Sequence, residues 1–214
     1  MSKALRADEL DGLLAYAATA RWPVGFSVYQ RGSPADGIFV VLQGRVVLRT
    51  RVRSGRAFVP RICGPGELFG AEGMAAVPEG LAAPVYQTDA RAECETVTLH
   101  LNRERVRMLL HERPLTALEL FGRVAVAHAE LLERLREIST MSVEQRLFAA
   151  VGRARALQMG DVAGEPLVLD AAGYRLLCEM VGATRESVGI VINRLMSEGL
   201  AARDGTRVLI NPPT

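Results

Sequence analysis

The fold of the C-terminal part of the chain is decided by residues 181–195, VGATRESVGIVINRL. Gly182 and Ala183 form a small-residue turn, and Thr184 is a side chain suited to cap the N-terminus of a helix. Val188, Ile192 or its neighbour Val191, and Leu195 then recur at helical spacing. The preceding residues, AAGYRLLCEMVG, predict another helix over about 171–181 that Asp170 can cap. The sequence therefore predicts two helices joined by a tight turn.

This arrangement is a helix-turn-helix, and its second helix begins with two charged side chains, Arg185 and Glu186. Arg can bond to guanine O6 and N7 in the major groove, while Glu can accept a hydrogen bond from cytosine N4. The positive end of the helix dipole also favours a nearby phosphate. After the helix, LAARDGTRVLI predicts a β-hairpin turning at Asp204-Gly205, with Arg203 and Arg207 placed to contact phosphate. The alternative is that Arg185 and Glu186 form only a solvated first helical turn.

Length and composition indicate a globular chain of two domains. The 214 residues carry a net charge of +2, so a DNA-binding surface must come from local arrangement and not from bulk charge. Without a long apolar run or the apolar centre of a signal peptide, a cytoplasmic protein with no membrane partner is expected. Three widely spaced cysteines suggest free thiols, with no disulfide framework, metal site or cofactor.

Residues 24–101 are rich in short β-branched runs separated by glycines, which predicts a β-sandwich or small barrel. The period then changes. Pro114 suits the first turn of a helix, and a heptad seam follows, which favours a homodimer. A second stripe, Leu118, Ala125 and Leu132, is expected to pack on the β domain of the same chain. An internal core helix is the alternative. The seam consists of Phe121, Val124, His128, Leu131, Leu135 and Ile138.

A new helix is predicted after residues 139–141. Ser142 followed by Gln145 fits a capping box, and Leu147, Phe148 and Val151 give the helix an apolar face. A domain boundary is therefore expected at the break.

Two motifs resemble the CRP/FNR family of bacterial transcription regulators: GATRESVGIVINRLMSEGLAARDGTRVLI, and QRGSPADGIFVVLQGRVVL followed by GPGELFG. The resemblance implies an α+β chain with a jelly-roll-like double-stranded β-helix sensor (1–112), a dimerisation helix and hinge (113–140) and a winged helix-turn-helix (141–214). It also implies a homodimeric, non-enzymatic regulator that binds a palindromic promoter site on double-stranded DNA and contacts RNA polymerase. The implied DNA-binding residues are Thr184, Arg185, Glu186, Ser187, Gly189, Ile190, Arg194, Arg203 and Arg207.

The sequence departs from the family both in the DNA-binding helix and in the nucleotide-binding cassette. Ile190 stands where the family often has a second base-reading Arg. In the cyclic-nucleotide cassette, Gly70 is kept, but Ala71 falls on the ribose-binding Glu and Glu72 comes one place late. Pro84 and Val85 fall on the Arg-Ser pair that holds the cyclic phosphate, and Leu131 and Leu132 on the adenine-contacting hydroxyl pair.

A phosphate buried against Pro84 and Val85 would lack a donor to replace its water. We therefore expect a regulator that is active without a small ligand or tuned by another effector in a more apolar pocket. The alternatives are a cyclic-AMP-responsive regulator with an altered pocket, or a module whose winged helix contacts protein.

Other sensing chemistries have little support in the sequence. The N-terminal cysteine cluster of an iron–sulfur regulator is missing, since residues 1–62 contain no Cys. His128 is expected to be a packed seam histidine, with metal, haem or proton sensing as the alternative. Cys63, Cys94 and Cys178 are expected to be inert thiols, with a redox switch as the alternative.

Overall fold

The computed structural model describes residues 7–51, 56–75, 83–157 and 166–211. These described residues form two compact units, one lying within residues 1–50 and 60–132 and the other within residues 51–59 and 133–214. The stretch QMGDVAGEP (158–166) predicts a loop after the helix that Ser142 caps, and its residues 158–165 lie outside the described residues. Within the described part of the chain, no helix is both long and apolar enough to span a bilayer.

The first unit is built on two four-stranded sheets, as the glycine-punctuated sequence predicted. One sheet has the order β1-β8-β3-β6 and the other β2-β7-β4-β5. The strands are β1 Ala18–Trp22, β2 Ser27–Tyr29, β3 Gly37–Gln43, β4 Val46–Arg51, β5 Ala57–Cys63, β6 Leu68–Phe69, β7 Asp89–Ala92 and β8 Thr96–Asn102. A short 3₁₀ turn, Ala71–Met74, follows β6.

Strand β3 is buried on both faces, which explains its unbroken apolar run GIFVVL. Ile38 and Val40 belong to a core shared with Leu99 and Leu101 of β8 and with the helices. The alternate residues Phe39 and Val41 face a second core between the sheets, formed with residues including Tyr29, Val46, Leu48, Phe69 and Tyr86. The two-residue period of the strand thus divides one segment between two cores.

Three helices accompany these sheets: α1 Ala7–Leu14, α2 Arg103–Glu112 and α3 Pro114–Thr140. Helix α3 begins at Pro114, as predicted, and packs on the core of the first unit through Ala117, Leu120 and the partly buried Val124. The expectation that Leu118, Ala125 and Leu132 would make this contact was wrong, because all three are exposed. Leu118 follows Ala117 by one residue, about 100° around the helix, and this rotation carries it away from the core.

The second unit contains α4 Val143–Leu157, α5 Ala171–Val181, α6 Arg185–Ser197 and a three-stranded sheet of order β10-β11-β9. Its strands are β9 Leu167–Leu169, β10 Ala201–Asp204 and β11 Arg207–Ile210. The capping box before α4 is present: Ser142 N donates to Gln145 Oε1 at 2.9 Å and Gln145 N to Ser142 Oγ at 3.2 Å.

The hairpin that follows α6 turns one residue later than predicted. Asp204 pairs with Arg207 at the end of β10, so the two loop residues are Gly205 and Thr206. Gly205 adopts φ 57°, the left-handed value that the first residue of such a tight loop requires. The mixed α+β architecture with a winged helix-turn-helix is otherwise the one expected from the sequence.

Candidate nucleic-acid interface and small-molecule site

The helix-turn-helix is fixed by local capping at both of its helices. Asp170 Oδ1 accepts a hydrogen bond from Gly173 N at 2.7 Å at the start of α5, and α5 ends at Gly182, whose φ is 68°. Thr184 then caps α6, its hydroxyl accepting from Ser187 N at 3.1 Å. Because each cap satisfies an orphan amide and the glycine bears the left-handed turn, the angle between the helices is set within a few residues.

Helix α6 separates an apolar inner face from a charged outer end. Val188, Ile192 and Leu195 are at most 1% exposed. Thr184, Arg185 and Glu186 are exposed, and the structure shows no ion pair for either charged side chain among the described residues. Ser187 and Gly189 are half-buried. The N-terminal end of α6 therefore exposes a guanidinium and a carboxylate beside the Thr184 hydroxyl that caps the helix.

Ile190 is the most unusual residue on this surface. Its side chain is 67% exposed, and it lies one helical turn after Glu186 on the same face of α6. An isoleucine in water gains nothing for stability. Its exposure beside the charged first turn is compatible with an apolar contact to a partner.

Basic side chains elsewhere in the predicted DNA-binding set differ in their availability. Arg203 and Arg207 are exposed on the hairpin. Arg194 instead forms ion pairs with Glu144 of α4 and with Glu198, the latter at 3.9 Å. The hydrogen bond with Glu144, followed by the charge of that carboxylate, raises the pKa of Arg194. Arg194 thus has part of its charge already neutralised within the unit.

A buried charged cluster that sequence analysis missed supports α5 and the turn. Arg134 of α3, 5% exposed, donates to Glu137 and to the carbonyl of Met180, close to the end of α5. Arg153 of α4 donates to the other oxygen of Glu137 at 2.6 Å. Burial of Glu137 acts to raise the pKa of its carboxyl group. The hydrogen bond and charge of Arg153, and then those of Arg134, together outweigh burial in the opposite direction, so the pKa is below its ordinary value.

An aromatic contact extends this cluster to the turn itself. The Arg134 guanidinium lies 5.5 Å from the centre of the Phe58 ring. A Cβ atom at Gly182 would meet the same ring at 3.3 Å. A weak sequence signal was present: Arg134 falls seven residues after the buried Ala127, at the next repeat of the same helix face.

The cyclic-nucleotide cassette of the first unit is packed with the protein's own rings. Gly70 is buried with φ 74°, and a Cβ added there would lie 3.2 Å from Phe39 and Tyr86 and 3.4 Å from Tyr29. The Tyr29 and Tyr86 rings stack at 3.8 Å. Burial raises the pKa of Tyr86 to about 12, with further contributions from Asp36. Burial also raises the pKa of Tyr29, so both phenol groups stay neutral. Gly70 therefore allows a left-handed backbone turn within a densely packed aromatic core.

The residues at the ribose and phosphate positions make structural contacts. Ala71 packs against the core, and Glu72 accepts a hydrogen bond from Gln87 N at 3.2 Å. Pro84 O accepts from Ala35 N at 2.8 Å, and Val85 pairs with Pro34 in an isolated bridge. None of these contacts supplies the cationic donor that a cyclic phosphate needs.

Near the adenine position, an ion pair joins β5 to α3. Arg61 contacts Glu130 at 3.0 Å and donates to Leu68 O, also at 3.0 Å. The neighbouring Leu131 and Leu132 are 43% and 53% exposed. The polar contact at this point of α3 is thus made by Glu130, while the two leucines at the adenine position are exposed.

The outer face of α3 leaves a long row of apolar side chains in contact with water. The seam residue Val124 is partly buried by the first unit, and His128 is exposed. The other seam positions, with their exposed fractions, are Phe121 39%, Leu131 43%, Leu135 61% and Ile138 37%.

The three cysteines are all at least partly buried. Cys63 and Cys178 are buried, and Cys94 is partly buried. Burial raises the pKa of the Cys178 thiol, which keeps it protonated. In the described ranges, no group of three or more His, Cys, Asp or Glu side chains could hold a metal ion.

Comparisons with known proteins agree with this geometry. Residues 21–113 match the family model for a cyclic nucleotide-binding domain. The chain is 28% identical to the cyclic AMP receptor protein of Thermus thermophilus over 197 residues, covering 92% of this chain and 85% of that one. It is 24% identical to the CRP-like protein Clp of Xanthomonas axonopodis over 216 residues, covering 98% and 90%.

Solved structures show the same fold. The c-di-GMP-responsive global regulator CLP of Xanthomonas campestris superposes with a TM-score of 0.75 at 21% identity, covering 96% of this chain and 99% of that one. A CRP/FNR-family transcriptional regulator of Thermus thermophilus gives 0.73 at 22% identity, covering 90% and 93%. The chain is therefore similar in sequence to CRP-like regulators, and it shares the fold of these solved CRP/FNR-type structures.

Proposed function

We propose that the protein is a homodimeric, sequence-specific DNA-binding regulator whose recognition element is the first turn of α6. The observation that carries this is the exposed pair Arg185 and Glu186 on a helix that is capped by Thr184 and anchored by three buried residues. A rigid helix end with free polar side chains can enter a major groove without rearrangement. The functional division is a sensor domain (1–112), a dimerisation helix with hinge (113–140) and a DNA-binding domain (141–214).

Dimerisation is supported by the outer face of α3. Leucine and isoleucine side chains that repeat at heptad spacing and remain exposed need a partner helix, and a second copy of α3 offers the same spacing. A two-fold dimer would place two recognition helices about 34 Å apart, one per half-site of a palindrome. Sedimentation should show a dimer, and Leu135→Glu should shift it to monomer, while Glu133→Gln on the solvent side should not.

Base readout is assigned to Arg185 on guanine, Glu186 on cytosine and Ile190 on a thymine methyl group. Contacts to the sugar-phosphate backbone are assigned to Thr184, Ser187, Gly189, Arg203 and Arg207. Arg194 is given a lesser role, because it already forms an ion pair with Glu144. Replacing the family's second Arg by Ile190 changes preference at one base pair by roughly 1–3 kcal/mol. Selection from a random DNA library tests this, and a half-site that matches the usual TGTGA at every position would contradict it.

The DNA-binding state is proposed not to depend on cyclic AMP held in the usual way. The support is the absence of charge at Pro84 and Val85 and the packing of Tyr29 and Tyr86 against Gly70. Purified protein should retard a palindromic fragment without added nucleotide if it is constitutively active. Calorimetry with cyclic AMP and cyclic GMP should show no micromolar binding, and micromolar binding of either would contradict the proposal.

The solved relative that responds to c-di-GMP makes this dinucleotide a necessary third ligand in the same titrations. Binding of c-di-GMP that alters DNA retardation would identify another effector. Loss of DNA binding in every condition would instead leave a winged helix that contacts protein. The expected setting is the cytoplasm, with RNA polymerase as the partner at the promoter.

A further inference from the structure

An open cleft of about 600 Å³ lies on the first unit where its two sheets separate. It is lined by β1, an edge strand of one sheet, and by β2, an edge strand of the other, with Phe39, Tyr86 and His100 between them. Small-molecule sites commonly enclose about 300–1,000 Å³. The cleft is therefore of ligand size.

This cleft is not the cyclic-nucleotide cassette. None of the five cassette residues belongs to its lining: Gly70, Ala71, Glu72, Pro84 and Val85. The two places share the buried Tyr29, Phe39 and Tyr86, which contact Gly70 and also line the cleft. A ligand in the cleft would contact β1, which contributes nothing to the cassette described above.

Aromatic side chains line the cleft, with Trp22 partly exposed and Tyr29, Phe39 and Tyr86 largely buried. The stacked pair of Tyr29 and Tyr86 stands beside a second stacked pair, Phe39 and His100, with ring centres 4.5 Å apart. Trp22 adds an indole whose Nε1 donates to Thr98 Oγ1 at 2.9 Å and so holds the ring in place. Flat rings and cations both gain from such surfaces.

The charge of the cleft selects among flat ligands. Asp36 is the carboxylate in the described lining, and no Lys or Arg accompanies it there. Its side chain is 69% exposed, while Oδ1 accepts a hydrogen bond from Tyr86 Oη at 3.1 Å. A phosphate would meet this carboxylate without a cation to balance it, whereas a positively charged group would be attracted.

One polar atom beside Asp36 is left unsatisfied by the protein. His100 Nε2 is buried without a hydrogen-bond partner among the described residues, and lies 3.5 Å from Asp36 Oδ1. Buried polar atoms are paired in most native structures, with protein, water or ligand. Because this nitrogen is itself buried, its part in the cleft is to lie beside Asp36, the carboxylate that a ligand could reach.

We propose that this cleft binds a small aromatic cation, a flat ring bearing an amine or amidinium group. The ring packs against the partly exposed Trp22, and the cationic group pairs with the exposed carboxylate of Asp36. Neither contact involves the helix-turn-helix, so the inference does not rest on the proposed DNA-binding function.

Trp22 is the only tryptophan of the chain, so its emission reports directly on the cleft. The full-length protein is titrated with benzamidine and, separately, with benzoate, which has the same ring but a negative charge. We expect a saturable change of Trp22 emission with benzamidine at millimolar concentration or below, and none with benzoate. No saturable change with benzamidine, or an equal one with benzoate, would overturn the proposal.

Three variants separate charge from shape. Asp36→Asn should weaken benzamidine binding at least about tenfold, because the charge pair is lost. Glu93→Gln, which removes an exposed carboxylate outside the cleft, should leave it unchanged. Ala20→Leu should block binding by filling the cleft from β1 while keeping Asp36. Equal affinity in Asp36→Asn and Glu93→Gln, with unchanged melting temperatures, would refute the assigned pairing, as would undiminished binding in Ala20→Leu.

Discussion

The first turn of α6 and the cyclic-nucleotide cassette have the same kind of backbone but opposite side-chain chemistry. Each depends on a left-handed glycine, Gly182 at φ 68° and Gly70 at φ 74°. Beyond Gly182 the chain exposes Arg185 and Glu186, whereas Gly70 is enclosed by neutral rings. The glycines therefore specify the fold at both places, and only the neighbouring side chains tell whether a charged partner can bind.

The largest effect is expected from the buried charged cluster around Arg134, which supports α5 and the turn before α6. Arg134→Ala leaves Glu137 buried with only Arg153 as a partner and frees the carbonyl of Met180. Breaking a buried ion pair from one side costs about 3–5 kcal/mol. Urea denaturation followed by circular dichroism should show a loss of this size in the free energy of unfolding.

A matched control lies two residues away on the same helix. Arg136 pairs with Glu133 at i,i+3, but both side chains are 54% exposed. Exposed pairs contribute about 0–1 kcal/mol, so Arg136→Ala should change little. Equal losses in the two variants would mean that Arg134 is not the buried support that the structure indicates.

Sequence reasoning succeeded where the cause of a structure is local. The caps at Thr184, Asp170 and Ser142 were predictable because each acts on an amide three residues away. The face of α3 that meets the sheets was not, because the choice between Ala117 and Leu118 depends on the surface that the helix packs against. Local patterns fix helix ends, and tertiary packing fixes their orientation.

The unpredicted parts of the sites come from distant segments of the chain. The rings around Gly70 belong to β2, β3 and the segment before β7, so no sequence window contains them together. Arg134 reaches a carbonyl 46 residues further along the chain. The missing cassette residues were visible in the sequence, but the rings that pack there instead were not.

Arg185→Ala tests whether the exposed first turn of α6 reads a base. Losing a bidentate contact to guanine should reduce affinity for the selected site by about 1–3 kcal/mol, roughly 5- to 150-fold, and relax preference at one base pair. Fluorescence anisotropy on matched and single-mismatch duplexes measures both. Arg107→Ala, an exposed arginine of α2, serves as control and should leave affinity unchanged. A loss without change of preference would place Arg185 on phosphate instead of a base.

Gly70→Ala tests whether the fold requires a glycine at this left-handed backbone position. A side chain at φ 74° and 3.2 Å from two rings should cost about 1–2 kcal/mol of unfolding free energy, with or without any nucleotide. Gly152→Ala, in the middle of α4 with open space around it, should instead stabilise by up to about 1 kcal/mol. Unchanged stability in Gly70→Ala would show that this glycine is not needed for the fold.

The smallest expected effect separates the hairpin from the recognition helix. Arg203 lies on the exposed strand β10, where a phosphate contact carries no sequence information. Arg203→Ala should therefore weaken binding to the selected site and to a scrambled duplex by the same factor, and lower the salt dependence of log affinity by about one unit. Titrations at several salt concentrations measure this slope. If the variant instead lost affinity only for the selected site, Arg203 would be reading bases, and specificity would extend beyond the first turn of α6.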